Sequence, residues 1–132
     1  MGLSEEERKI LIVAELTKAK NFYEQAKKNS NLAIWDVVAN RLYYSVFHAV
    51  TALFIKDQHK VTTHKGAVLL FGMEYVKTGK FSKEDAKFYA QLQTMREKAD
   101  YNCMWESSKE DTLPMLKKLE GFLNKVEKYL SI

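Results

Sequence analysis

The segment Asn40-Arg41-Leu42-Tyr43-Tyr44-Ser45-Val46-Phe47-His48-Ala49 sets a guanidinium, a phenol and an imidazole inside a largely apolar run. Arg41, Tyr44 and His48 stand at i, i+3 and i+7, which on an α-helix is one face. Arginine is rarely buried alone, because its five N–H donors need acceptors. The stripe therefore needs an answer from another helix, a second subunit or an anionic ligand. Arg96-Glu97-Lys98-Ala99-Asp100-Tyr101 repeats the mixture of cation, acid and phenol and is the best match in the chain. His64 and Lys65 open a predicted helix, where free N–H groups and the macrodipole favour anions. Guanidinium groups clamp phosphate, and imidazole moves protons near neutral pH. Arg41, Tyr44, His48, His64, Lys65 and Arg96 are thus candidates for phosphate or ligand binding.

A plainer structural role competes at each position. Arg96 and Asp100 are i, i+4 neighbours, and an exposed pair of that kind contributes only a few tenths of a kcal/mol. Arg41 reads more readily as one arm of a salt bridge to another helix, and His48 as a satisfied core histidine. Tyr43, Tyr44 and Phe47 suit a core or an interface, while His64 and Lys65 suit an ordinary capped helix start. His48, His59, His64 and Cys103 lack metal-ligand spacing, so no metal is expected. No Gly-rich phosphate loop or nucleophile elbow is present, and no cofactor is expected.

Composition limits the class of molecule. A chain of 132 residues with 46% hydrophobic and 29% charged residues suits one soluble domain with a single core. The net charge of +4 permits a polyanionic partner without requiring one, since no basic run exceeds two residues. Cys103 is alone, which excludes an internal disulfide and suits a reducing cytoplasm. The acidic start, Ser4-Glu5-Glu6-Glu7, does not resemble a signal peptide. Leu42 to Ile55 carries no formal charge but is too short to span a bilayer, so the expectation is a cytoplasmic protein without membrane partners.

The elements that must position these residues are all helical. Ser4 with Glu7 predicts a capped helix reaching about Lys28, with Ile10, Val13 and Leu16 on its apolar spacing. Asn31 is expected to cap a second, highly buried helix to about Asp57, with Ile34, Val38, Leu42, Val46, Ala49 and Leu53 as its core stripe. A short third helix runs from about His64 to Val76, ended by Gly79. Ser82 starts a fourth, ending near Asn102, with Phe88, Leu92, Met95 and Ala99 inward. Lys109 to Leu130 makes the fifth, with Pro114 expected in its first turn. The fold expected is all-α: an antiparallel up-and-down bundle of four long helices plus one short one, a single domain over residues 1–132. If the second and fourth helices are antiparallel neighbours, Arg41 and Arg96 lie at comparable height beside Asp100 and Tyr101.

Three segments carry a resemblance: Asn-Arg-x-Tyr-Tyr-x-x-Phe-His at 40–48, Thr-His-Lys-Gly at 63–66 and Arg-x-Lys-Ala-Asp-Tyr at 96–101. Together they resemble the HEPN family (higher eukaryote and prokaryote nucleotide-binding domain) over roughly residues 8–130. The resemblance implies a helical bundle that forms homodimers and binds RNA or nucleotides. It also implies a metal-independent endoribonuclease, in some members a toxin paired with a small nucleotidyltransferase antitoxin. The catalytic pattern of such proteins is Arg, a polar residue and, four to six residues after the Arg, a His. Arg96 matches the Arg, but Glu97 follows it where Asn, Asp or His is usual, and Tyr101 stands where the His is usual, with Asp100 beside it. That departure implies weak or absent cleavage, because a phenol near its reference pKa of about 10 is a poor proton shuttle at neutral pH. Sixteen aromatic residues, Trp35 and Trp105 among them, suggest apolar surface left over for a second copy. The alternative is a non-catalytic structural or interaction bundle whose Arg/Tyr/His/Asp stripe is an internal ion-pair network.

Overall fold

The computed structural model describes residues 2–131, so the two ends of the expected domain, Met1 and Ile132, lie outside the described residues. Five α-helices form: α1 (Glu5–Asn31), α2 (Trp35–Lys56), α3 (His64–Phe71), α4 (Lys83–Tyr101) and α5 (Lys109–Leu130). A π-helical turn, Gly72–Val76, extends α3, and no strand occurs among the described residues. The all-α expectation holds, with α2 at the centre touching α1, α3, α4 and α5.

Local chemistry fixes most of the boundaries. Ser4 with Glu7 and Ser82 with Asp85 form reciprocal capping boxes, and Thr63 and Ser108 cap α3 and α5 with their side chains. Asn31 does not cap α2; it is the last residue of α1, and Ile34 takes the cap position without a side-chain bond. The reason is a stronger closure of α1. Ala33 sits at φ 57°, the Ala33 N–H bonds to the Ser30 carbonyl, and the Ile34 N–H bonds to the Asn29 carbonyl at 3.1 Å. That is the Schellman arrangement, with alanine where glycine is usual. Gln58, at φ 60°, closes α2 in the same manner through His59 to the Phe54 carbonyl at 2.8 Å. Pro114 lies in the second turn of α5, not the first. Its missing N–H leaves the Glu110 carbonyl without the helical bond, which is tolerable because Pro114 faces solvent.

The core follows α2. Val38, Ala39, Leu42, Tyr43, Val46, Ala49, Val50, Ala52 and Leu53 are fully buried. Ile34, expected in that stripe, is instead exposed at the helix entrance. Ala19 and Ala26 let α1 approach α2 closely, and the Ser45 hydroxyl donates to the Ala19 carbonyl at 2.7 Å. The inward face of α1 is Ile12, Leu16, Ala19 and Ala26, so the expected Ile10 and Val13 point out, Ile10 with 68% exposure. One step of phase separates the two stripes, and only the Ile12 stripe presents alanines where α2 needs small neighbours. On α4, Phe88 and Leu92 pack inward as expected, but Tyr89, Gln93 and Arg96 are buried too, while Met95 is only partly covered. Trp35 and Trp105 are both half-buried.

The π-turn has a clear packing consequence. It carries Tyr75 into the core, where the hydroxyl lies 2.9 Å from the Leu53 carbonyl and 2.7 Å from Asp57 Oδ2. Tyr129 of α5 donates to the same carboxylate oxygen at 2.7 Å, so Asp57 ties α2, the π-turn and α5 together.

The left-handed Ala33 gives a direct stability test. An L-residue with a side chain pays roughly 1–2 kcal/mol there, part of which glycine gives back as unfolded-state entropy. Ala33→Gly should therefore raise the unfolding free energy by about 1 kcal/mol, measured by denaturant titration; a loss of stability would contradict the closure described.

Candidate functional site

Tyr43 is the hub of the site. Its ring is fully buried on α2, and the Arg96 guanidinium carbon lies over it, 4.9 Å from the ring centroid. Its hydroxyl lies 2.7 Å from His64 Nδ1, a hydrogen bond in which either atom donates according to the imidazole tautomer. Thus α2, α3 and α4 each contribute one group to a single contact set. Tyr44 and Phe47 close it, with ring centroids 6.1 and 4.8 Å from that of His64.

Arg96 is only 7% exposed, yet its polar partners are few. Its Nη1 reaches Asp100 Oδ2 at 3.4 Å, a long hydrogen bond, and its Nε has no partner. The guanidinium is held mainly by the Tyr43 face, and its remaining donors are unspent. Burial and the Arg96 charge both hold the His64 imidazole below its ordinary pKa, so the ring favours its neutral form at pH 7. Burial likewise pushes the Tyr43 phenol up, to about 12, although the Arg96 charge acts against it. At neutral pH the set is therefore one fixed cation, one neutral imidazole and one neutral phenol.

A second set adjoins it across Tyr44. His48 Nδ1 lies 2.6 Å from Glu15 Oε2 of α1, and the His48 ring stacks on Phe22 at 5.5 Å and 6°. The Arg41 guanidinium also lies over Phe22, 5.5 Å from the centroid, and bonds the Asn40 side chain. Phe22 is 6.1 Å from Tyr44, which completes the link to Tyr43 and His64. The answer to the Arg41/Tyr44/His48 stripe thus comes largely from α1 through Glu15 and Phe22, residues that the sequence reading missed. Their signal was weak: Glu15 is one acid among several on α1, and Phe22 reads as ordinary helical spacing.

The other predicted residues fall at the margin. Asp100 is exposed and makes only the long contact to Arg96, while Tyr101 is 79% exposed at the end of α4. Lys65 is exposed beside His64. Elsewhere, a hollow of about 440 Å³ lined by Lys87, Lys98, Met95, Trp105 and Met115 opens between α4 and α5, on a face of α4 that does not include Arg96. Among the described residues no group of three acidic, His or Cys side chains is placed to hold a metal ion, and no helix is long and apolar enough to cross a membrane.

The coupling of His64 to Arg96 is measurable. A histidine whose folded pKa is depressed stabilises the fold above its unfolded value near 6.5, and that contribution is lost as pH falls through the folded value. Arg96→Met should move the His64 titration upward in an NMR pH series and shrink the acid-side loss of stability. An unchanged His64 titration would show that the two groups do not interact.

The segments that build these contacts are those on which the family resemblance rests, and comparisons with known proteins agree. The HEPN domain model matches residues 13–129. A UPF0332 protein of Thermotoga maritima is 34% identical over 116 residues, covering 86% of this chain and 86% of its own. A Methanocaldococcus jannaschii protein named as a candidate toxin is 31% identical over 115 residues, covering 87% of this chain and 78% of its own. A second candidate toxin of that organism is 27% identical over 130 residues, covering 97% of this chain and 91% of its own. The chain is a member of the HEPN domain family.

Proposed function

We propose that this protein binds RNA or nucleotide phosphate at the Arg96–Tyr43–His64 contact set, as a toxin-like HEPN protein. The observation that carries this reading is Arg96: a guanidinium more than nine-tenths buried with one long bond and an unpartnered Nε. A cation whose only role was stability would ordinarily be satisfied, because each unpaired buried donor costs about 1–3 kcal/mol. A phosphate has acceptors to spare for such a donor set. Cleavage through the late-helix pattern itself is weak or absent in this reading, since Tyr101 points to solvent and lacks a proton-transfer group suited to neutral pH. The reading includes, as the family resemblance implies, a small nucleotidyltransferase antitoxin as partner and a cytoplasmic setting.

Arg96→Met tests the reading, since it keeps an unbranched side chain against Tyr43 while removing the charge. RNA binding by the wild type should weaken with salt, and the variant should bind less tightly with a log–log salt slope reduced by about one. Wild type without salt-sensitive RNA binding would support the rival reading, an internal ion-pair network, which the short His48–Glu15 contact favours.

The same reading includes pairing with a second copy. Ile10, Val13, Leu69 and Met73 are exposed, and Met104 reaches 88% exposure, more apolar surface than a lone bundle has reason to show. Light scattering at micromolar concentration should give about twice the 15.4 kDa chain mass; a monomer mass throughout would refute pairing.

A further inference from the structure

We propose that His64 is the catalytic base of this protein, supplying from the start of α3 the imidazole that α4 lacks after Arg96. The inference rests on the phosphate-binding reading above and adds a chemical role to it. Three observations support it. His64 is the one imidazole that shares a partner with Arg96: both groups sit on Tyr43, one at its hydroxyl and one over its ring face. The position is fixed from two sides, by the 2.7 Å bond at Nδ1 and by Phe47 packed 4.8 Å from the ring. His64 is also only partly buried, so Nε2 is the nitrogen left for a substrate. His48 is less suited, because its Nδ1 is engaged by Glu15 and its ring lies flat on Phe22, on the α1 side of Tyr44.

The chemistry balances without a metal. When His64 Nδ1–H donates to the Tyr43 oxygen, Nε2 is unprotonated and accepts the proton of a ribose 2′-hydroxyl. The 2′-oxygen forms its bond to phosphorus as the bond from phosphorus to the 5′-oxygen breaks. That departing oxygen takes a proton from water, and the imidazolium later neutralises the hydroxide left behind. The products are a 2′,3′-cyclic phosphate and a free 5′-hydroxyl. Arg96 holds the non-bridging oxygens as negative charge builds on them. The downward-shifted titration of His64 keeps it competent as a base at neutral pH. No side chain is assigned as the acid, so the reaction is slow.

A labelled single-stranded RNA oligonucleotide in excess EDTA, with its all-deoxy counterpart, provides the test. Wild type should cut the RNA slowly to cyclic-phosphate ends and leave the DNA intact. At saturating RNA, His64→Gln should cleave at least about a hundredfold more slowly than wild type, the range for loss of a general base. His64→Asn, which keeps a shorter polar amide, serves as the second variant if Gln disturbs the start of α3. His59→Gln, in the loop after α2, should cleave like wild type. RNA binding with undiminished cleavage by both His64 variants would overturn the assignment and leave the binding reading standing. Binding by wild type with no cleavage would overturn it equally. Absence of RNA binding by wild type would instead remove the reading on which it rests.

Discussion

Burial of α2 on every side is the constraint from which the rest of this structure follows. From Leu42 to Ile55 the helix carries no formal charge, and its neighbours cover nearly all of it. Alanines and Ser45 allow the close approach of α1 that this requires. The same burial leaves the polar atoms of α2 without water, so each must find a partner inside the protein. Ser45 takes the Ala19 carbonyl, Thr51 takes the Phe47 carbonyl, His48 takes Glu15 and Tyr43 takes His64. Arg41 is the partial exception, because its Nε has none. The location of the candidate site is therefore a consequence of packing: it lies where a buried helix must still satisfy polar groups.

Arg96 adds a cation to that environment at a cost. Removing a guanidinium from water is unfavourable unless its donors are met, and a single contact at 3.4 Å does not meet them. Stacking on Tyr43 offsets part of the cost, since guanidinium is weakly hydrated across its flat faces and the phenol ring is electron-rich there. Nearby Tyr89 also has a buried hydroxyl without a partner. Two incompletely satisfied polar side chains, both on the inward face of α4, set this region apart from the Asp57–Tyr75–Tyr129 cluster, where both phenol hydroxyls bond Asp57 Oδ2. One cluster closes the bundle; the other keeps donors in reserve.

Much of this was legible in the residues, and the failures have physical causes. Capping signals placed Ser4 and Ser82 correctly because they act within one turn of sequence. Asn31 misled because a cap preference yields to a helix closure that local composition does not advertise, Ala33 standing where glycine would be the usual sign. Ile10 and Val13 misled because two apolar stripes run along α1 a single residue out of phase, and only tertiary contact decides between them. The π-turn at 72–76 has no periodicity of its own. In the site, Arg41, Tyr44, His48, His64 and Arg96 were visible as residue types, whereas Tyr43 as the hub and Glu15 as a partner emerge only in three dimensions.

The separation of Arg96 from Tyr101 shows why spacing along a helix is an incomplete guide to a site. Five residues at about 100° each carry the chain well past one turn, so the two side chains leave α4 on different faces. Arg96 turns in toward Tyr43 while Tyr101, in the final turn, meets solvent. An imidazole near Arg96 must then come from another element, and α3 presents one because Thr63 fixes where that helix begins. The Thr63 hydroxyl accepts from the Gly66 N–H at 2.9 Å, and a Cβ at position 66 would lie 2.7 Å from that same oxygen. Gly66 is therefore needed for the cap, and the cap sets His64 against Tyr43. The Thr-His-Lys-Gly segment acts as a positioning device: its threonine and glycine establish the turn, and its histidine is what the turn delivers to the arginine.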